Sequence, residues 1–309
     1  MRIIFLGTPD FAVPSLEALA ASSHDVVAVV TQPDKPGNRN VLQPCAVKRK
    51  AQELGLPILQ YERLSRQGAD DLRALSPDLM VTCAFGQILS DEILAIAPHG
   101  VLNVHGSLLP RYRGASPIQS AVLNGDAQTG VTIMRTVREV DSGDILLQVT
   151  TPILPRETAG ELFERLAQTG ACAIVQAADA IERGEATFTP QDHAQATYCR
   201  MLDKESGRID WTRSAIELTR HIDGMTPWPS AFTHTPQGKL LKIWRADASD
   251  DIAAPSGTLV SKGGRVWVAC GKGSLELLEV QPEGKKRMRA AEFAAGYGRL
   301  DGERLGERT

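Results

Sequence analysis

The feature that most constrains this chain is a series of short, fully apolar runs in its first half, each followed by a longer amphipathic stretch. Ile3–Leu6 is apolar and stops at Gly7-Thr8-Pro9-Asp10, Asp25–Thr31 reads DVVAVVT, and Leu79–Ala84 and Gly100–His105 repeat the pattern. Helices are expected near Ser15–Ala21 and over Ala46–Leu54, between these runs. Strands that are apolar on both faces and joined through helices need crossover connections, which produce a mostly parallel sheet covered on both sides. The expected class is therefore α/β, with a ligand site outside the carboxyl ends of the strands, where the loops gather.

The pattern continues to about residue 185. Val131–Met134 and Ile145–Val149 read as strands flanking the turn Asp141-Ser142-Gly143-Asp144. Glu161–Ile181 reads as a long helix with Leu162, Leu166, Ala173, Ile174 and Ala177 near one face, ended by Gly184. Residues 186–204 are polar with few aliphatics and resemble an extended linker. Beyond 205 the runs become short and turn-punctuated: Ile209–Trp211, Ala231–His234, Leu240–Ala246, Thr258–Ser261, Arg265–Ala269 and Ser274–Val280. Their spacing predicts a small β barrel or sandwich. A length of 309 residues fits two domains, 1–185 and 205–309, joined by that linker.

Several function classes are excluded early. The formal net charge is −3, so the chain does not coat nucleic acid by charge alone, although Lys285-Lys286-Arg287-Met288-Arg289 puts four basic residues on five positions. That cluster reads either as a solvated loop or as a nucleic-acid contact. Five scattered cysteines without a CxxC pair form neither a disulfide framework nor a zinc module, and fit a reducing compartment. The apolar run after Met1 is too short for a signal-peptide core or a membrane span, so a cytoplasmic protein without membrane contact is expected. GTPDFA after the first strand lacks the later glycines of a dinucleotide fingerprint, and no GxxxxGK[ST] phosphate loop occurs.

Chemistry concentrates in Val101-Leu102-Asn103-Val104-His105-Gly106-Ser107-Leu108-Leu109-Pro110. On a strand, Asn103 and His105 share one side, at the carboxyl end, just before Gly106 and Pro110 turn the chain away. A strand buried on both faces does not carry two such groups unless they meet a partner or a ligand. A carboxylate from the 141–144 turn would orient the imidazole and stabilise its protonated form, and spacing does not choose between Asp141 and Asp144. An amide donor, an imidazole and a carboxylate suit acyl transfer to an amine. The amide stabilises an oxyanion and the imidazole carries protons, without an activated Ser or Cys. No HExxH or His/Cys cluster supplies a metal site.

These residues resemble those of the methionyl-tRNA formyltransferase family over nearly the whole chain. The matching stretches are Met1–Leu19, Val30–Pro36, Pro77–Leu89, Leu102–Gln119, Asn124–Met134 and Val140–Leu146, then Asp203–Trp211, Thr226–Thr233 and Glu283–Phe293. The N-x-H-x-SLLP stretch with a later D-[ST]-G-D is specific to folate-dependent formyltransferases, and the C-terminal matches narrow it to the tRNA-modifying type. The resemblance implies a Rossmann-like formyltransferase domain followed by an OB-like barrel. It also implies transfer of a formyl group from 10-formyltetrahydrofolate to initiator methionyl-tRNA.

By the same resemblance Asn103, His105 and Asp141 match the catalytic trio, and the choice of Asp141 over Asp144 comes from the family. Ser107, Leu108, Leu109 and Pro110 match its tetrahydrofolate-binding segment, and Phe85, Ile88 and Leu89 fall in a loop that lines the pterin pocket in relatives. Plain core packing is the alternative for those three. Thr31–Lys48 corresponds to a loop that reaches the acceptor end of the tRNA. This chain keeps Lys35 and Arg39 there but lacks the lysine pair that relatives usually carry. Gly106 stands where the tRNA enzymes more often have alanine, a form shared with formyltransferases acting on amino sugars.

Overall fold

A computed structural model of the chain describes residues 1–36, 42–296 and 301–306. It divides into two compact units. The first comprises residues 1–117, 128–152 and 163–199, and the second 118–127, 153–162 and 200–309.

The first unit is built on a seven-stranded sheet: β1 Arg2–Gly7, β2 Asp25–Thr31, β3 Ile58–Gln60, β4 Leu79–Cys83, β5 Val101–His105, β6 Gln128–Arg135 and β7 Ile145–Pro152. The spatial order is β3-β2-β1-β4-β5-β6-β7. The first five strands in that order pair in parallel, and β6 and β7 add antiparallel. The sheet is thus mostly parallel, as the apolar runs require. Its chain order reverses between β1 and β4, which opens a crevice at the carboxyl edge. Ile3, Ile4, Phe5 and Leu6 of β1 and every residue of β4 are buried, the signature of strands covered on both faces. The helix Ala159–Glu182 extends the expected one by two residues at its start and one at its end. A Cβ at its Gly170 would stand 2.8 Å from Val104 Cγ1, so the missing side chain lets the helix lie close against β5.

Three loops at the carboxyl edge are tied together. The Thr8 hydroxyl after β1 and the Gln32 amide after β2 both donate to the Phe85 carbonyl after β4, at 3.2 and 3.0 Å. The loop entry Thr31–Asp34 is anchored by Gln60, whose Nε2 donates to Thr31 Oγ1, the Gln32 carbonyl and Asp34 Oδ1. Lys48 closes that network 2.7 Å from Asp34 Oδ2 and lowers the Asp34 pKa.

The second unit carries a six-stranded antiparallel sheet: β8 Ala231–His234, β9 Leu240–Ser249, β10 Leu259–Lys262, β11 Arg265–Ala269, β12 Ser274–Pro282 and β13 Met288–Arg289. The order is β8-β9-β12-β11-β10, with β13 also on β12. Two expectations need correction. Ile209–Trp211 is not a strand: Asp210 Oδ1 accepts from the Thr212 amide at 3.0 Å and from its hydroxyl at 2.6 Å, an Asx turn that breaks the extended run. Ala215–Met225, a stretch outside the expected strands, is a helix opened by a capping box between Ser214 and Glu217. Its Leu218, Ile222 and Met225 pack with Ile243, Val266 and Leu277 of the sheet.

His221 on this helix is buried, and its Nε2 has no hydrogen-bond partner among the described residues. Burial lowers its pKa below the ordinary 6.5. The unfolded chain then binds more protons than the folded one below pH 6.5, so the stability is fully present above that value and lost as pH falls through the folded pKa. Resistance to urea should therefore weaken from pH 7 toward pH 5, by at most about 1.4 kcal/mol per pH unit from this group. His221→Gln should flatten that slope, and an unchanged slope would contradict the assignment.

Candidate active site

The parallel register of β4 and β5 sets Thr82 beside Asn103, and the antiparallel register of β5 and β6 sets His105 beside Thr132. Four polar residues thereby meet at the strand ends of an otherwise apolar sheet. The Thr82 hydroxyl lies 3.0 Å from Asn103 Oδ1, donating to it, and 3.1 Å from the Leu102 carbonyl. With Oδ1 so held, the Asn103 NH2 group keeps its hydrogens for a ligand oxygen.

His105 is buried, and both ring nitrogens face acceptors. Nε2 donates to the Tyr112 carbonyl at 3.0 Å, and Nδ1 lies 3.6 Å from Asp141 Oδ2. A ring placed between a carbonyl and a carboxylate can donate from both nitrogens only as the imidazolium. The second distance is that of an ion pair rather than a hydrogen bond. Asp141 Oδ2 also accepts from the Gly114 amide at 2.8 Å, which fixes that oxygen on the imidazole side. The main-chain carbonyl of Asp144 accepts from Arg135 N at 2.9 Å, tying the end of this turn to β6.

The turn that carries Asp141 is tightly fitted. Asp141 itself has a left-handed backbone, φ +50°. Gly143 lies so near β6 that a Cβ would be 1.9 Å from the Arg135 carbonyl oxygen, a position closed to any other residue. Ala84 and Tyr112, on the other loops of this edge, are left-handed as well, at φ +46° and +61°. Non-glycine residues rarely hold this conformation unless their surroundings enforce it.

The segment after β5 is equally fixed. Ser107 is buried, with its hydroxyl donating to the Arg111 carbonyl at 2.6 Å. Thr132 Oγ1 donates to the Ser107 carbonyl at 2.7 Å and accepts from the Leu109 amide at 3.1 Å. Gln148 Nε2 donates to the Leu109 carbonyl at 2.9 Å. Leu109 is buried, while Leu108 and Pro110 are half-buried. In the loop after β4, Phe85 and Leu89 join an apolar cluster with Ile4, Leu6 and Met80, and Ile88 is 75% exposed.

The basic candidates are dispersed. Lys35 is exposed in a two-residue strand paired with Leu42–Gln43, and Arg39 lies outside the described residues. In the second unit, Lys285 and Lys286 are exposed in the turn before β13. Arg287 follows them with its guanidinium 3.4 Å from the Trp244 ring centroid, a cation–π stack.

Sequence reasoning missed Thr82, Thr132, Gln148, Gly114 and Gln191. For Thr82 and Thr132 the signal was present: each is a polar residue in a buried strand, the argument that singles out Asn103. Gln148, Gly114 and Gln191 are ordinary in sequence and become visible only through contacts.

Two family models match the chain: formyl transferase over residues 1–178 and formyl transferase, C-terminal domain, over 201–298. Among curated relatives, methionyl-tRNA formyltransferase of Agathobacter rectalis is 46% identical over 301 residues, covering 96% of both chains. That of Geobacter sulfurreducens is 43% identical over 309 residues, covering 99% of this chain and 97% of its own. Among solved structures, an N-formyltransferase from Helicobacter canadensis, in complex with folinic acid and dTDP-3-aminofucose, shares the fold with a TM-score of 0.68. It is 16% identical and is covered over 91% of this chain and 99% of its own.

The hydrogen bond to Tyr112 makes a spectroscopic prediction. Neutral His105 should be the tautomer protonated at Nε2, visible in long-range proton–nitrogen correlation spectra. An Nδ1-protonated neutral ring would contradict the geometry.

Proposed function

The chain belongs to the methionyl-tRNA formyltransferase family, and on that premise we propose that Asn103, His105 and Asp141 catalyse its formyl transfer directly from folate to amine. The enzyme transfers a formyl group to methionyl-tRNA and uses a folate-type substrate. The finer reading takes 10-formyltetrahydrofolate as the donor and the methionine amine of the initiator tRNA as the acceptor. Residues 1–185 form the catalytic domain, 186–204 the linker, whose part up to 199 packs with the first unit, and 205–309 an OB-like tRNA-binding domain.

The observation that carries this reading is the arrangement at the end of β5. The amine attacks the formyl carbon, and the carbonyl oxygen gains negative charge in a tetrahedral intermediate. Asn103, with Oδ1 on the Thr82 hydroxyl, aims its NH2 donors at that oxygen. The attacking nitrogen loses a proton and the departing folate nitrogen gains one. His105 moves that proton, and Asp141, 3.6 Å away, stabilises the imidazolium while it is held. Because both nitrogens are substrate atoms, no acyl-enzyme is needed.

Ser107 to Pro110 form the folate-binding segment, and the lattice of Thr132 and Gln148 bonds supports that role by holding the backbone in one conformation. Phe85 and Leu89 shape the pterin pocket from within the core, and the exposed Ile88 offers the apolar contact. Lys35, Arg39, Lys285, Lys286 and Arg287 contact tRNA phosphate. The exposure of Lys35, Lys285 and Lys286 and the half-stacked Arg287 support this. The chemistry assigned to the site needs no metal. Among the described residues no helix is long and apolar enough to cross a membrane.

Formyl transfer assayed in parallel with charged initiator tRNA, an amino-sugar nucleotide and no acceptor should label only the tRNA. Label on the sugar or in water would overturn the acceptor assignment. Asn103→Ala should lower kcat by about 10²–10³-fold, as for loss of an oxyanion donor. Thr82→Val should cost about 5- to 10-fold, the worth of one orienting hydrogen bond. Wild-type rates in both variants would remove Asn103 from the mechanism. Reversing Lys285, Lys286 and Arg287 to Glu should raise KM for tRNA and leave folate binding unchanged. The salt slope should fall by roughly one for each phosphate no longer neutralised.

A further inference from the structure

Asp141 depends on a residue outside the catalytic motifs. Gln191 is 5% exposed, and its whole amide is engaged. Nε2 donates to the Asp141 carbonyl at 2.9 Å and to the Gly143 carbonyl at 2.7 Å. Oε1 accepts from Arg113 Nε at 3.1 Å and Nη2 at 2.7 Å. Arg113 is 1% exposed and is the largest fully buried side chain among the described residues, with Nη2 also 3.2 Å from His193 Nδ1.

We propose that Gln191 is a positioning residue that holds the Asp141 carboxylate against His105 by clamping the 141–143 turn onto the buried Arg113 guanidinium. The proposal rests on the reading that Asp141 acts with His105. The chemistry of the clamp is specific. It needs two donors toward carbonyls at one end and an acceptor toward a cation at the other, and an amide supplies both where a carboxylate or an ammonium supplies only one. Asp141 is held in a left-handed backbone, so its turn relaxes unless its carbonyls are bound.

The anchor also serves the other side of the imidazole. Arg113 directly precedes Gly114, whose amide pins Asp141 Oδ2. The chain from 191 to 199 fastens this loop at further points. Arg113 N donates to the Thr197 carbonyl at 2.8 Å, Tyr112 N to Thr197 Oγ1 at 2.9 Å, and Ala115 N to the Cys199 carbonyl at 3.1 Å. Cys199 Sγ lies 3.5 Å from the Tyr112 carbonyl, the acceptor of His105 Nε2. Both acceptors around His105 are therefore fixed by one stretch of chain, and Gln191 is the member that reaches the carboxylate side.

The test is a kinetic cycle in the full-length enzyme. Gln191→Glu keeps an acceptor for Arg113 and removes both donors. It should melt within a few degrees of wild type while kcat for formyl transfer falls roughly 10- to 100-fold, as expected for a reacting group misplaced by about 1 Å. KM for folate and tRNA should stay within about twofold if only the transition state is affected. Gln191→Met, which removes the amide without adding charge, should show the same kcat–KM split. In an Asp141→Asn background Gln191→Glu should cost little more, because the group it positions is already gone. Wild-type kcat in folded Gln191→Glu, or an equal loss in the Asp141→Asn background, overturns the proposal. Wild-type kcat in Asp141→Asn alone overturns instead the reading on which it rests.

Discussion

Everything at this site follows from placing an amide and an imidazole on a strand with no solvated face. Val101–His105 lies between β4 and β6 and beneath a long helix that approaches it closely at Gly170. A buried polar group without a partner costs roughly 1–3 kcal/mol, so each such group must be satisfied by a neighbour or kept for a ligand. Adjacent strands supply part of the answer through register, which sets Thr82 beside Asn103 to bond its Oδ1. Loops supply the rest, through the Tyr112 carbonyl and the Asp141 carboxylate. What remains for a ligand is the amide end of Asn103, at the carboxyl edge of the sheet on the strand next to β4.

That accounting explains why the loops are so heavily fastened. Ala84, Tyr112 and Asp141 are each held in a left-handed backbone that an ordinary residue avoids. The hydrogen bonds of Thr8, Gln32, Thr132, Gln148 and Gln191 to loop carbonyls offset that cost. A transition state that develops charge on oxygen gains most from donors already in place, because no reorganisation is then needed during reaction. On the proposed mechanism, rigidity in the loops and electrostatic catalysis are one property seen at two scales.

The second unit uses different physics. Its long strands β9 and β12 largely alternate buried and more exposed residues, as an antiparallel sheet with one packed face does, and the helix Ala215–Met225 covers that face. The basic turn before β13 stays outside the core, with Arg287 resting on Trp244. On the proposed reading, such a surface gives orientation and salt-sensitive affinity without chemistry.

Local patterns in the sequence settled the class of the first unit, most of its strands, the long helix, and the pairing of Asn103 with His105 on one side of a strand end. Those readings need only the periodicity of apolar residues and the two-residue repeat of a strand. The run Ile209–Trp211 misled because an Asx turn at Asp210 competes with extension, and the helix at Ala215–Met225 escaped because strand-like spacing surrounds it. Spacing left Asp141 and Asp144 open, the family resemblance chose Asp141, and the 3.6 Å approach to the imidazole agrees with it. Only tertiary structure decided that Thr82 orients Asn103 and that Gln191, some fifty residues from Asp141, holds its turn. Spacing along a chain carries no information about which carbonyl a distant amide will reach. That is determined when the sheet, the helix and the returning 191–199 segment enclose the same small volume and every buried donor must find an acceptor there.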